Sequence, residues 1–69
     1  MTINGLDTML RMLKMIRETP MMSGTVSALL GINTELSRKY LNRLCEIGYA
    51  EKQGVLYYST GKAEKMFNV

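Results

Sequence analysis

The chain has no histidine and no tryptophan, and it has one cysteine and one proline among 69 residues. The absence of histidine removes the commonest general base of enzymes. One cysteine without histidine cannot complete a zinc site, and Cys45 cannot form a disulfide within the chain. The sequence also has no paired carboxylates on a defined face and no glycine loop for phosphate. We therefore expect no enzymatic activity, no metal and no cofactor.

Long apolar runs are also missing. No stretch approaches the roughly 18–20 residues that a membrane span requires, so we expect no membrane partner. The N-terminal residues MTINGLDTML lack the basic and then apolar layout of a signal peptide. A chain this small leaves little room for a ligand pocket, so we expect no small-molecule ligand. These features predict a cytoplasmic protein.

The composition predicts one small globular domain over residues 1–69. Hydrophobic residues make up 46% of the chain, which is sufficient for a single core. Nine basic and six acidic residues leave a net charge of +3, which suits an anionic partner. A domain of this size buries proportionally little surface, so a dimer interface would add stability.

The first predicted helix begins at a cap on Asp7 or Thr8 and runs to about Thr19, where Pro20 ends it. Its main apolar face consists of Leu6, Met9, Leu10, Leu13 and Ile16. Met12 and Met15 lie off that face. They either fill gaps on the flanks of the core or form a second stripe that packs on a partner subunit.

Two helices joined by a short turn are predicted in the segment from Ser23 to Tyr49. Ser23 or Thr25 is the expected cap of the second helix, Gly31 ends it, and Asn33 caps the third. The third helix is amphipathic. Its apolar face carries Ser37, Tyr40, Leu41, Leu44, Ile47 and Gly48, and its polar face carries Glu35, Arg38, Lys39 and Asn42. Two helices separated by about three residues are typical of a helix-turn-helix unit.

A β-hairpin and a last helix follow. The segments Tyr49–Lys52 and Val55–Ser59 are of strand type and are predicted to pair around Gln53-Gly54. Thr60 is the expected cap of the last helix. The predicted fold class is therefore mainly α with a small β-hairpin.

Three segments carry a resemblance to a known family. LLGIN is similar to the family's turn, YLNRLCEIGYAEK resembles the end of its recognition helix, and YYSTGKAEKMF resembles the segment after its wing. Ser59 and Ala63 depart from the last pattern. Over about residues 9–67 the chain resembles the winged helix-turn-helix transcription regulators, including MarR-like and small archaeal, viral or phage-type members. The resemblance implies a three-helix core, a two-stranded wing and a C-terminal helix.

The resemblance also implies a repressor-like regulator that binds double-stranded DNA in a sequence-specific manner, with the third helix in the major groove. The expected base-reading residues are Thr34, Glu35, Arg38, Lys39 and Asn42. The expected contacts to phosphate or to the adjacent minor groove are Ser23, Thr25, Arg43, Lys52 and Tyr57. The alternative for the basic residues of the third helix is a solvated face with local ion pairs.

Two further expectations concern partners. We expect a homodimer, with Met12, Met15, Met66 and Phe67 as candidate contacts. The alternative function is a winged-helix protein-interaction module within a transcription or replication assembly. That alternative predicts a neutral or apolar exposed face in place of a basic one.

Overall fold

The computed structural model describes residues 5–67, except for the side chains of residues 6, 64, 66 and 67. The elements, in chain order, are α1 (Gly5–Glu18), α2 (Ser23–Leu30), α3 (Thr34–Glu46), β1 (Ala50–Gln53), β2 (Leu56–Ser59) and α4 (Gly61–Phe67). The chain is thus mainly helical with one antiparallel hairpin, as the sequence predicts. The candidate dimer contacts Met66 and Phe67 lie outside the described side chains.

The buried face of α1 overlaps the predicted one at Leu13 and Ile16 but is rotated toward Met12. Met12, Leu13 and Ile16 are buried, whereas Met9 and Leu10 are only half-buried. The physical reason is that α1 packs against both α3 and β2, so its buried face is set by two neighbours. The candidate dimer contact Met12 is therefore wrong, because its side chain is 0% exposed within a single chain.

The connection between α2 and α3 follows its local sequence signals. Gly31 ends α2 in the left-handed conformation with φ of 67°, which glycine adopts without steric cost. Asn33 then caps α3, its side-chain oxygen accepting from the Glu35 amide at 2.7 Å. At the contact between the helices, the buried Ser37 hydroxyl donates to the Ser23 carbonyl oxygen at 3.0 Å. A small hydrogen-bonded side chain allows the helices to approach closely.

The hairpin turns one residue later than the sequence predicts. Gln53 pairs with Leu56, so the connection is Gly54-Val55, and Gly54 has φ of 62°. Type II′ hairpin turns place glycine at this first position for that reason. On its other side, β2 pairs with Met21, whose amide and carbonyl both bond to Tyr57 at 3.3 and 2.8 Å. The residue after Pro20 thus extends the hairpin as a short bridge.

The end of α3 is fastened to the start of α4. The Thr60 hydroxyl donates to the Gly48 carbonyl oxygen at 2.7 Å, and the Lys62 ammonium donates to the Ile47 carbonyl oxygen at 3.0 Å. A lysine at this end also complements the negative end of the α3 dipole. Among the helices of residues 5–67, none has the length and apolar character that a bilayer crossing demands.

Candidate functional site

A cleft of about 510 Å³ lies where the start of α2, the side of α3 and the hairpin meet. Its lining residues are Met22, Ser23, Gly24, Arg38, Lys52, Val55 and Tyr57. We call this surface the basic cleft, because it contains two cations and no acidic residue among the described side chains that line it. Three separate segments of the chain thus bring Ser23, Arg38 and Lys52 together.

The start of α2 contributes backbone donors to the basic cleft. Ser23 is the first residue of the helix, and the N-cap is Met22 in extended conformation. If Ser23 were the cap, the helix would begin at Gly24. The predicted caps, Ser23 and Thr25, are therefore wrong: both lie within the first turn, and no described side chain caps this end. The first amides of a helix have no intrahelical acceptor and carry partial positive charge.

The backbone at this end is open to an approaching group. A Cβ built on Gly24 meets no atom within 4 Å, so there is open space beside the backbone at the second residue of α2. Glycine at a helix start costs stability relative to alanine, and it is tolerated where a ligand comes close to the backbone. Gly24 is a cleft residue that the sequence reasoning missed, since only the hydroxyls of its neighbours offer side-chain hydrogen bonds to an anion.

The two cations reach the cleft from different elements. Arg38 lies on α3 and is exposed, and its guanidinium presents several N–H donors in one plane. Lys52 stands opposite Tyr57 in the hairpin ladder, with its ammonium 5.5 Å from the centre of the Tyr57 ring. That distance permits a cation–π attraction, which holds the lysine along the cleft wall. Together with the α2 amides, the two side chains form a surface suited to an anion.

Tyr57 cannot act as the predicted DNA contact. Its side chain is 1% exposed, and its hydroxyl donates to the Asn42 amide oxygen at 2.9 Å. The prediction failed because Tyr57 and Tyr58 point to opposite faces of β2, and alternation alone does not say which face is the core. The bond to Tyr57 also engages the oxygen that Asn42 would use to read adenine.

The other predicted contacts on α2 and α3 are exposed but lie outside the cleft lining. Glu35 and Lys39 lie on the outer face of α3, Asn42 lies toward the hairpin, where it accepts from Tyr57, and Arg38 lies on the flank that lines the cleft. Arg43 pairs with Glu46 at 3.1 Å, and both side chains are more than 60% exposed, so this ion pair adds little stability. The remaining exposed candidates are Thr25 and Thr34, and the Thr34 hydroxyl lies 3.2 Å from that of Ser27.

The rim of the cleft has an apolar component that the sequence reasoning did not identify. Val55 at the hairpin turn is 64% exposed, and Met22 before α2 is 45% exposed. The sequence does show an apolar residue, Val55, beside a turn glycine. Because Val55 was assigned to a strand, its exposure at the turn was not predicted. A cleft with cationic walls and an apolar rim suits a ligand that carries both charge and flat or methylated surface, as a nucleotide does.

Metal and thiol chemistry have no centre in the described part of the chain. Among the side chains that the structure describes, no three from His, Cys, Asp or Glu form a group that could hold a metal ion. Partial burial raises the pKa of the Cys45 thiol above its ordinary value, which keeps the group protonated and weakly nucleophilic at neutral pH. Cys45 packs beside the core as a small apolar residue.

No family model, no curated protein and no solved structure matches the chain. The features of the chain that bear on function are the basic cleft and the exposed face of α3 beside it.

Proposed function

We propose that the chain is a winged helix-turn-helix protein that binds double-stranded DNA in a sequence-specific manner and regulates transcription. The observation that carries the proposal is the basic cleft, where Arg38, Lys52 and the uncapped start of α2 face one space. A DNA phosphate is the anion that helix N-termini and arginine–lysine pairs commonly bind on a duplex.

The order of the elements supports this assignment. Two helices joined by residues 31–33 are followed directly by the hairpin, and Met21 adds a short bridge to β2 ahead of α2. This is the order of a winged helix-turn-helix unit, with α3 as the recognition helix and the hairpin as the wing. The major groove is about 12 Å wide and admits a helix with its side chains.

The positions on α3 divide the contacts into two kinds. Glu35 and Lys39, at the centre of the exposed face, are placed to meet base edges, with Lys39 donating to guanine and Glu35 accepting from cytosine. Arg38 lies on the flank that lines the basic cleft, so it contacts phosphate together with Lys52. This division changes the sequence-based expectation, in which Arg38 reads a base.

Selection from random duplex DNA, followed by sequencing, tests the proposal. The wild-type protein is expected to enrich a defined motif. Lys39→Ala should relax the preference at particular base pairs, each contact being worth about 1–3 kcal/mol of discrimination. Arg38→Ala should weaken binding to all sequences by a similar factor. Failure to bind duplex DNA even at low salt would contradict the proposal and favour a protein partner for this surface.

Ser23→Pro tests the backbone contribution separately. Proline is well tolerated at the first position of a helix, and Met22 already has the extended backbone (φ −82°, ψ 158°) that a following proline requires. The variant should keep its fold and lose one cleft amide, so DNA affinity should fall about tenfold, which corresponds to the lower end, about 1.5 kcal/mol, of the net value of one hydrogen bond to a charged group.

Ser23→Ala is the matched control, since it removes the hydroxyl and retains the amide. Equal affinity loss in the two variants, measured by fluorescence anisotropy with a labelled duplex, would show that the hydroxyl and not the amide makes the contact.

A further inference from the structure

The Tyr57 hydroxyl connects the hairpin to α3 through one hydrogen bond. It donates to the side-chain oxygen of Asn42 at 2.9 Å. The Tyr57 side chain is 1% exposed, whereas Asn42 is exposed on the surface of α3. A buried group of the hairpin thus holds one end of a polar side chain that a partner can reach from outside.

The buried hydroxyl decides which way the Asn42 amide faces. A phenol has one hydrogen to donate, and a buried donor without an acceptor is costly. Among the described residues, the Asn42 oxygen is the one acceptor that this hydroxyl contacts. If the amide were reversed, its N–H2 group would face the hydroxyl, and the phenol hydrogen would have no acceptor. The oxygen of Asn42 therefore faces Tyr57, and its N–H2 group faces outward as a donor.

The position of Asn42 on α3 lies between the two kinds of contact that the proposed function assigns to this helix. At 100° per residue, Asn42 falls about 40° from Arg38 in the direction of Lys39, and about 6 Å further along the axis than Arg38. Arg38 lines the basic cleft, and Lys39 lies on the outer face. The outward N–H2 group is therefore placed beside the residue that meets base edges.

We propose that Tyr57 is a positioning residue for base reading, which holds Asn42 as a hydrogen-bond donor and so selects guanine at one base pair. The inference rests on the proposed binding of duplex DNA. In the major groove guanine offers two acceptors, N7 and O6, whereas adenine offers the acceptor N7 beside the donor N6–H2. Asparagine reads adenine with its oxygen accepting from N6. Because the Asn42 oxygen faces Tyr57 and not the groove, its donor group suits guanine.

The ring and the hydroxyl of Tyr57 serve different contacts, so they can be separated by mutation. The Lys52 ammonium lies 5.5 Å from the centre of the ring, and Tyr57→Phe retains that ring. The phosphate contacts of the basic cleft should then be unchanged, and the slope of log affinity against log salt concentration should match that of wild type. A purely structural role of the hydroxyl would instead weaken binding to all sequences alike.

Selection from random duplex DNA, followed by sequencing, tests the assignment with three variants. Asn42→Ala identifies the base pair, because the preference should flatten at that position. The wild type should prefer guanine over adenine there by about fivefold or more. Tyr57→Phe should remove that preference, since the released amide can turn and read adenine. Asn42→Asp still accepts from Tyr57 but presents an oxygen outward, so its preference should move to cytosine, whose N4–H2 group donates.

Tyr58→Phe is the matched control, since it removes a hydroxyl from the next residue of β2, whose side chain points to the opposite face. It should leave the preference at that base pair unchanged, with circular dichroism confirming that all variants are folded. A guanine preference that persists in Tyr57→Phe would overturn the inference, and so would a wild-type preference for adenine at this position. Absence of any binding to duplex DNA would contradict the proposed function, and the inference with it.

Discussion

Replacement of Tyr57 by alanine is expected to remove most of the stability of the fold. Tyr57 is the largest fully buried side chain of the described residues. Its backbone bonds to Met21 on one side and pairs with Lys52 on the other, so the residue joins three segments. Truncation of a buried aromatic side chain costs about 3–5 kcal/mol. The free energy of unfolding of the whole domain is on the order of 3–10 kcal/mol, at about 0.05–0.15 kcal/mol per residue.

Tyr57→Phe is the matched control for this prediction. It retains the ring in the core and loses only the bond to the exposed Asn42 side chain, which costs about 0.5–1.5 kcal/mol. In a domain of this size that loss lowers the Tm by roughly 2–12 °C. Urea and thermal unfolding followed by circular dichroism measure both variants. An equal loss of stability in Tyr57→Ala and Tyr57→Phe would show that the hydroxyl, and not the buried ring, stabilises the fold. That result would contradict the packing described here.

The features that depend on neighbouring residues were predictable from the sequence. Pro20 ends the first helix within two residues, and Gly31 ends the second in the left-handed conformation. Asn33 caps the third helix with its own side chain. Each of these effects arises within one turn of backbone, so the residue type carries the information. The number, type and order of the helices and strands followed from such signals and from hydrophobic periodicity.

The features that depend on packing between elements were not predictable in the same way. Met12 is buried because α1 meets both α3 and β2, and the apolar residues of α1 are numerous enough to allow more than one buried face. The Lys62 ammonium donates to the Ile47 carbonyl oxygen and lies 5.0 Å from the centre of the Tyr49 ring, contacts that local sequence does not indicate. Both outcomes depend on residues far apart in the chain.

The candidate site shows the same division. The polar face of α3 was visible in the sequence, because it depends only on the helical repeat. The basic cleft was not, since it requires the start of α2 and the hairpin to meet beside Arg38. The sequence predicts Lys52 as a DNA contact, but gives no sign that it lies near α3. The fold brings it beside Arg38 and Gly24. The assignment of Arg38 to phosphate depends on that proximity.

Loss of both cations of the basic cleft is expected to produce the largest change in DNA binding. Each lysine or arginine that neutralises a phosphate adds about 0.9 to the slope of log affinity against log salt concentration. Arg38→Ala and Lys52→Ala should therefore each reduce the slope by about 1, and the double variant should reduce it by about 2. At about 0.1 M salt these changes correspond to roughly tenfold and hundredfold losses of affinity.

Lys65→Ala is the control for the electrostatic argument. Lys65 is exposed on α4 and is absent from the cleft lining, so its removal lowers the net charge as Lys52→Ala does without removing a phosphate contact. Fluorescence anisotropy titrations at several salt concentrations separate the two effects. A reduction of slope in Lys65→Ala as large as that in Lys52→Ala would mean that net charge alone drives binding. A reduction confined to the cleft variants identifies the two positions as phosphate contacts, because counterion release depends on where the duplex is neutralised.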